Sequence, residues 1–138
     1  MGRRVERRRL SEFILPHTRR IFEIVAGTGV PTIHFGVGTG SILRELREAG
    51  GDVIGADWRT PLDVAWAAIG PDRAIQGNLD PTLLLGPLDR VFAATDEVLA
   101  RAGGRAGHIF NLGHGILPTT PVEHVQALAR YVHQKTRS

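Results

Sequence analysis

The sequence predicts an α/β domain of parallel strands, one leading helix followed by four strand–helix units, α(βα)4. Three observations predict it. Four short stretches rich in β-branched and apolar residues recur along the chain, and segments with apolar residues at helical spacing separate them. Helical segments after the strands open on a Pro beside a capping residue, at Thr60-Pro61, Asp80-Pro81 and Thr120-Pro121. The connections are short, so each right-handed crossover lays the next strand parallel to the last.

In chain order, SEFILPHTRRIFEIVAGTG (residues 11–29) carries the helical period and ends in helix-stopping glycines, while Pro16 delays or kinks its start. VPTIHF (30–35) is the first strand. SILRELREAGG (41–51) reads as a helix with Ser41 as cap and Gly50 as stop, and DVIGAD (52–57) as the second strand. TPLDVAWAAIG (60–70) offers the Thr60 hydroxyl to free amides, Pro61 in the first helical position and Asp63 to the positive helix end. RAIQGN (73–78) is the third strand, and Asp80-Pro81 starts a further helix. A long helix over residues 87–102 leads to the last strand, GHIFNL (107–112), and Thr120 with Glu123 spells a capping box before VEHVQALARYVHQ.

The 138 residues fit one domain, and a chain of this size buries roughly 68% of the surface it exposes unfolded. Hydrophobic residues at 42% and charged ones at 22% are ordinary globular proportions. No apolar run nears the ~18 residues of a membrane span and no secretory-type stretch begins the chain, so a cytoplasmic location is expected. The absence of cysteine removes disulfides, thiolate nucleophiles and Cys-ligated metal centres. The net charge of +3 is concentrated in GRRVERRRL (2–10), which reads as a basic arm over residues 1–10 ahead of a domain over 11–138. Without interleaved aromatics or finger spacing, no nucleic-acid partner is expected, and no membrane partner either.

In parallel α/β architectures ligands lie at the carboxyl ends of the strands. Those ends are GVGTGS, DWR, QGNLD and NLGHG, which bring Asp57, Arg59, Gln76, Asn78, Asp80, Asn111 and His114 to one face. His114 stands out: held between Gly113 and Gly115, it presents a titratable hydrogen-bonding group with no bulky neighbour in sequence. GVGTGS with Asp57 also admits a nucleotide- or S-adenosylmethionine-binding Rossmann reading, in which backbone amides approach the ligand and the acid takes ribose hydroxyls. Its glycine spacing, G-x-G-x-G, departs from that fingerprint. The remaining histidines read otherwise: His34 as a satisfied packing residue, His17, His124 and His133 as helix surface, and His108 at the opposite strand end. Trp58 reads as packing that could also flank a ligand, and Trp66 as core. No histidine pair has metal spacing with a carboxylate beside it, so no metal is expected.

PTIHFGVGTGSILRELREAGGDVIGADWRTPLDVAW, AIQGNLDPTLLL and GHIFNLGHGILPTTPVEHVQALARYVH, in that order, resemble the C-terminal half of the uroporphyrinogen decarboxylase family, from about residue 13 onward. The resemblance implies four of the eight βα units of a (β/α)8 TIM-type barrel. It implies a cytoplasmic lyase without metal or organic cofactor, removing carboxyl groups from the acetate side chains of uroporphyrinogen III to give coproporphyrinogen III in haem biosynthesis. Transient protonation of a pyrrole makes the ring the electron sink, which leaves the protein to position substrate and stabilise charge. The lack of cysteine sets the chain apart from the related zinc-dependent, thiol-methylating branch, whose metal site uses one.

The family's substrate-contacting histidine falls on His114. The resemblance assigns cleft-lining roles to Asp57, Gln76, Asn78, Asp80, Asn111, Gly113 and Gly115. The family's arginine-rich motif and essential aspartate lie in its N-terminal half and have no counterpart here, and residues 2–10 differ from what precedes the helix in relatives. The expectation is a truncated chain, inactive alone, that pairs with another copy or with a complementing N-terminal half. A non-catalytic tetrapyrrole-binding module stays open beside it.

Overall fold

The structure, a computed structural model, describes residues 8–137. Residues 1–7 of the basic arm lie outside the described residues; helical backbone begins at Arg8, before the expected boundary at residue 10. One π-helical turn, Leu10–Ile14, leads into α1, Leu15–Ala26. Pro16 lies just past the π-helical turn, and helical backbone runs through it from Arg8 to Ala26, so the expected delay of the helix start is not seen. Then follow β1 (Ile33–Phe35), α2 (Leu43–Ala49), β2 (Val53–Gly55), α3 (Leu62–Ile69) and β3 (Ala74–Leu79). A 3-10 turn, Pro81–Leu85, precedes α4 (Leu88–Ala102), β4 (His108–Leu112) and α5 (Val122–Thr136).

Three caps differ from the sequence reading. Ile42, not Ser41, takes the cap position of α2. At α3 and α5 the prolines themselves, Pro61 and Pro121, are the cap residues with ψ of 138° and 130°, so Thr60 and Thr120 fall one residue outside the helix. A capping box needs its hydroxyl at the cap itself. The Thr120 hydroxyl is instead buried with no hydrogen-bond partner among the described residues. Asp80 does cap, accepting the Thr82 amide at 2.9 Å.

The strands form one parallel sheet in the order β1-β2-β3-β4. Sequence neighbours are sheet neighbours throughout, as in a (β/α)8 barrel; a Rossmann sheet reverses its order at a switch point. The strand order therefore counts against the nucleotide-binding reading.

Residues in register share a face. His34, Ile54, Ile75 and His108 stand side by side toward the helices. There Ile54 and Ile75 join Leu43, Leu46, Leu62, Trp66, Ile69, Val91, Val98 and Leu128 in one apolar cluster. Each fully buried aliphatic side chain of that kind stabilises the fold by about 1.5–3 kcal/mol. Trp66 is core as expected, its indole N–H donating to the Arg73 carbonyl at 2.9 Å. On the opposite, concave face, Ile33, Phe35 and Ile109 remain 47%, 42% and 44% exposed. Gly77, at φ +140°, brings β3 against β2: a Cβ there would stand 2.8 Å from the Ala56 carbonyl oxygen.

Candidate functional site

The carboxyl ends of the four strands carry a connected polar rim. At its centre is Asp57, just past β2 and only 2% exposed. One carboxylate oxygen accepts the Arg59 amide at 3.0 Å; the other accepts the Gly38 amide and the Arg59 guanidinium, the latter at 3.2 Å. Such charge-assisted bonds are the strong ones, and a carboxylate this buried needs them. Asn78, at the end of β3 and also buried, donates from its side-chain amide to the carbonyls of Asp57 at 2.8 Å and Thr60 at 2.6 Å. The loops after β1 and β2 and the tip of β3 are thereby held as one unit.

The loop after β4 is seated on this unit through its backbone. The Gly113 amide donates to the Leu79 carbonyl at 2.7 Å, and a Cβ on Gly113 would fall on the Trp58 backbone. Gly113 is thus glycine for close approach, whereas a Cβ on Gly115 would meet open space. Between them His114 is exposed, with Nδ1 at 3.4 Å from the Gly115 carbonyl. Its ring meets Trp58 edge-on, centroids 5.8 Å apart, and the Arg59 guanidinium lies over the same indole at 3.9 Å. The rim so presents a row of Arg59, Trp58 and His114.

The other expected positions fall around this row. Asn111 is exposed on the concave face beside Asn78 in register, and its side-chain oxygen accepts the Leu112 amide at 2.8 Å. Gln76 shares the concave face with Ile109. The Asp80 carboxylate is engaged in capping, taking the Thr82 amide at 2.9 Å and hydroxyl at 2.7 Å, and so is held at the rim by its own turn.

Trp58, read from the sequence as packing that could also flank a ligand, contacts His114, and Arg59 lies over the same indole. An aromatic followed directly by a guanidinium at a strand end was the available signal. Ile33, Phe35 and Ile109 could not be singled out in the sequence as the exposed apolar face, because a parallel strand is apolar on both faces and its sequence does not say which side meets helices.

His34, His108 and His124 hold structural bonds, and His17 and His133 are exposed on helices as expected. His34 Nδ1–H points at the carbonyls of Leu46 (3.0 Å) and Gly50 (3.1 Å), a satisfied packing residue as expected. His124 is not simply surface: half-buried, it donates from Nδ1 to the Leu84 carbonyl at 2.8 Å and ties α5 to the 3-10 turn. His108 donates from Nε2 to the Gly77 carbonyl at 2.8 Å; burial holds its pKa below the ordinary 6.5, partly offset by that bond.

A recess of about 430 Å3 opens at the other pole, between α1 and the amino ends of β1 and β2. Two of its charged groups, Asp52 and Arg73, serve fastening. Asp52 takes the Thr32 amide at 2.7 Å and hydroxyl at 2.9 Å, bonds that hold its carboxyl below the usual range, and Arg73 donates to the Gly51 carbonyl at 3.1 Å. In barrels this pole serves stability, so the smaller openings at the carboxyl ends are the candidate site.

The profile of the family described as "Uroporphyrinogen decarboxylase (URO-D)" matches residues 2–135. A uroporphyrinogen decarboxylase from Sorangium cellulosum is 56% identical over 127 residues, covering 92% of this chain and 36% of the relative. One from Streptomyces coelicolor is 54% identical over 123 residues, covering 89% and 35%. The chain thus spans about a third of the length of these curated relatives. Among solved structures, a methyltransferase from Methanosarcina mazei superposes with a TM-score of 0.77 at 22% identity, covering 93% of this chain and 37% of that one; this likeness shows the fold alone. Among the described residues no helix is long and apolar enough to cross a membrane.

Proposed function

The chain belongs to the uroporphyrinogen decarboxylase family, and from that we propose that it supplies the C-terminal half of an enzyme converting uroporphyrinogen III to coproporphyrinogen III. The substrate is a tetrapyrrole bound across the carboxyl ends of the strands. His114 contacts it, and Asp57, Gln76, Asn78, Asp80, Asn111, Gly113 and Gly115 shape or support the cleft. The observation that carries the reading is the family match over residues 2–135, falling on a chain whose strand ends bear QGNLDP and NLGHGILP.

The chemistry asks for no metal or organic cofactor. Protonation of a pyrrole carbon lets the electrons of the breaking C–C bond flow into the ring as carbon dioxide leaves; the new methylene then takes a proton and the ring gives one up. The protein positions the ring and balances charge. His114, exposed at the rim, can donate a hydrogen bond to the bound ring or its side chains. The family's essential aspartate has no counterpart among these residues, so turnover depends on a partner that supplies it, such as a complementing N-terminal half. The exposed concave Ile33, Phe35 and Ile109 support such pairing, since four strands of a barrel leave two edges and an apolar face to cover. The setting is cytoplasmic.

The test is anaerobic incubation of the purified chain with uroporphyrinogen III, alone and with a separately expressed N-terminal half, following coproporphyrinogen by chromatography. Turnover only in the mixture establishes a complementing half. Turnover by the chain alone overturns the need for a complementing half. Tetrapyrrole binding without turnover in either leaves a non-catalytic module, and silence with no binding overturns the reading.

A further inference from the structure

We propose that Arg59 is a binding residue for one peripheral carboxylate of the tetrapyrrole, an inference that rests on reading the strand-end rim as a tetrapyrrole site. The four connections that follow the strands, residues 36–42, 56–61, 80–87 and 113–121, contain one arginine and no lysine. A polycarboxylate seated on this rim therefore meets a single permanent cation from these loops. Both acids of the same loops are already engaged: Asp57 by Gly38 and Arg59, Asp80 by Thr82. Both keep their negative charge, but Asp57 is only 2% exposed and Asp80 is turned into its own cap, so the exposed group that meets an incoming carboxylate is the guanidinium.

Arg59 is also held in place before any ligand arrives. Its amide and Nη1 are both anchored on buried Asp57, and its guanidinium carbon lies over Trp58 at 3.9 Å. Holding both ends of a long side chain lowers the rotamer entropy lost on binding. Only Nη1 is engaged; among the described residues nothing accepts from Nε or Nη2, and the side chain is 53% exposed. With Gly38, Gly40, Ser41, Thr60 and the buried Asp57 it borders a recess of about 360 Å3, small enough for a carboxylate arm and too small for the macrocycle. Because Trp58 contacts both Arg59 and His114, an arm on Arg59 leaves the ring system on the stretch of rim that carries His114. A guanidinium suits this task better than an ammonium, since its planar fork matches a carboxylate while the same plane stacks on an indole.

The experiment titrates the purified chain with uroporphyrin, the stable fluorescent form of the substrate ring, and with its permethyl ester, which lacks carboxylates. Arg59→Gln and Arg59→Lys are compared with wild type. Expected is a loss of about tenfold in affinity for the free acid in Arg59→Gln, the size of one hydrogen bond to a charged group. Arg59→Lys should lie between, and the ester should bind both variants as it binds wild type. A misfolded variant would lose acid and ester alike, so the acid-to-ester ratio separates recognition from folding. Wild-type binding of the acid with an unchanged ratio in Arg59→Gln overturns the role of Arg59 and leaves the tetrapyrrole site standing. No binding of either compound by wild type overturns the site and this inference together.

Discussion

Asp57→Asn is the substitution that most directly tests how the rim is held. The side chain is 2% exposed and takes three donors: the Arg59 amide on one oxygen, the Gly38 amide and Arg59 Nη1 on the other. An asparagine has one acceptor oxygen. Placed toward Arg59 N it turns its NH2 on Gly38 and Nη1; placed the other way it turns NH2 on the Arg59 amide. At best one bond is lost outright and the other two lose their charge. Bonds to a charged partner contribute about 1.5–3 kcal/mol and neutral ones about 1, and Arg59 Nη1 deserves a discount for its exposure. The expected destabilisation is about 2–4 kcal/mol. Urea unfolding followed by tryptophan fluorescence reads it as a shift of roughly 1–2 M in midpoint at an unchanged slope of ~2 kcal/mol/M. A shift below about 0.3 M would show that the carboxylate is not the fastening that the geometry implies.

Three further outcomes follow from single contacts. Gly113→Ala should destabilise by about 1–3 kcal/mol, since the new Cβ falls on the Trp58 backbone, while Gly115→Ala, facing open space, should stay within about 0.5 kcal/mol; equal effects in urea would contradict the seating of the His114 loop. His108 has a folded pKa below its unfolded 6.5, so the unfolded chain binds the proton first: stability should fall as pH drops through 6.5 toward the lowered value, level off below it, and lose that pH dependence in His108→Asn. Ile109→Asp, on the exposed concave face, should barely change the stability of the chain alone yet abolish turnover in mixtures with an N-terminal half; retained complementation would mean that another surface is covered.

The order of elements was legible because it is written locally. Helical spacing, short β-branched runs and Pro or Gly at the joins each concern residues close in sequence, and every strand and helix formed within a few residues of its expected place. His34 and Trp66 could likewise be assigned to packing, since each sits among apolar residues of its own element. The caps show where local reading stops. Thr60 and Thr120 carry the right side chains, but proline takes the cap position in an extended conformation and displaces them by one residue.

What the sequence by itself determined is the alternation of units, the exclusion of thiol chemistry, and the motifs QGNLDP and NLGHGILP that mark one end of the sheet as the place for chemistry. Only the tertiary structure decided which strand face meets helices and which lies open, because in a parallel sheet both faces are apolar and register alone tells them apart. Only it joined Gly38 to Asp57 across 19 residues, and Trp58 to His114 across the sheet from the β2 loop to the β4 loop. Those contacts depend on strands lying side by side in order, a property of the assembled sheet that no window along the chain contains.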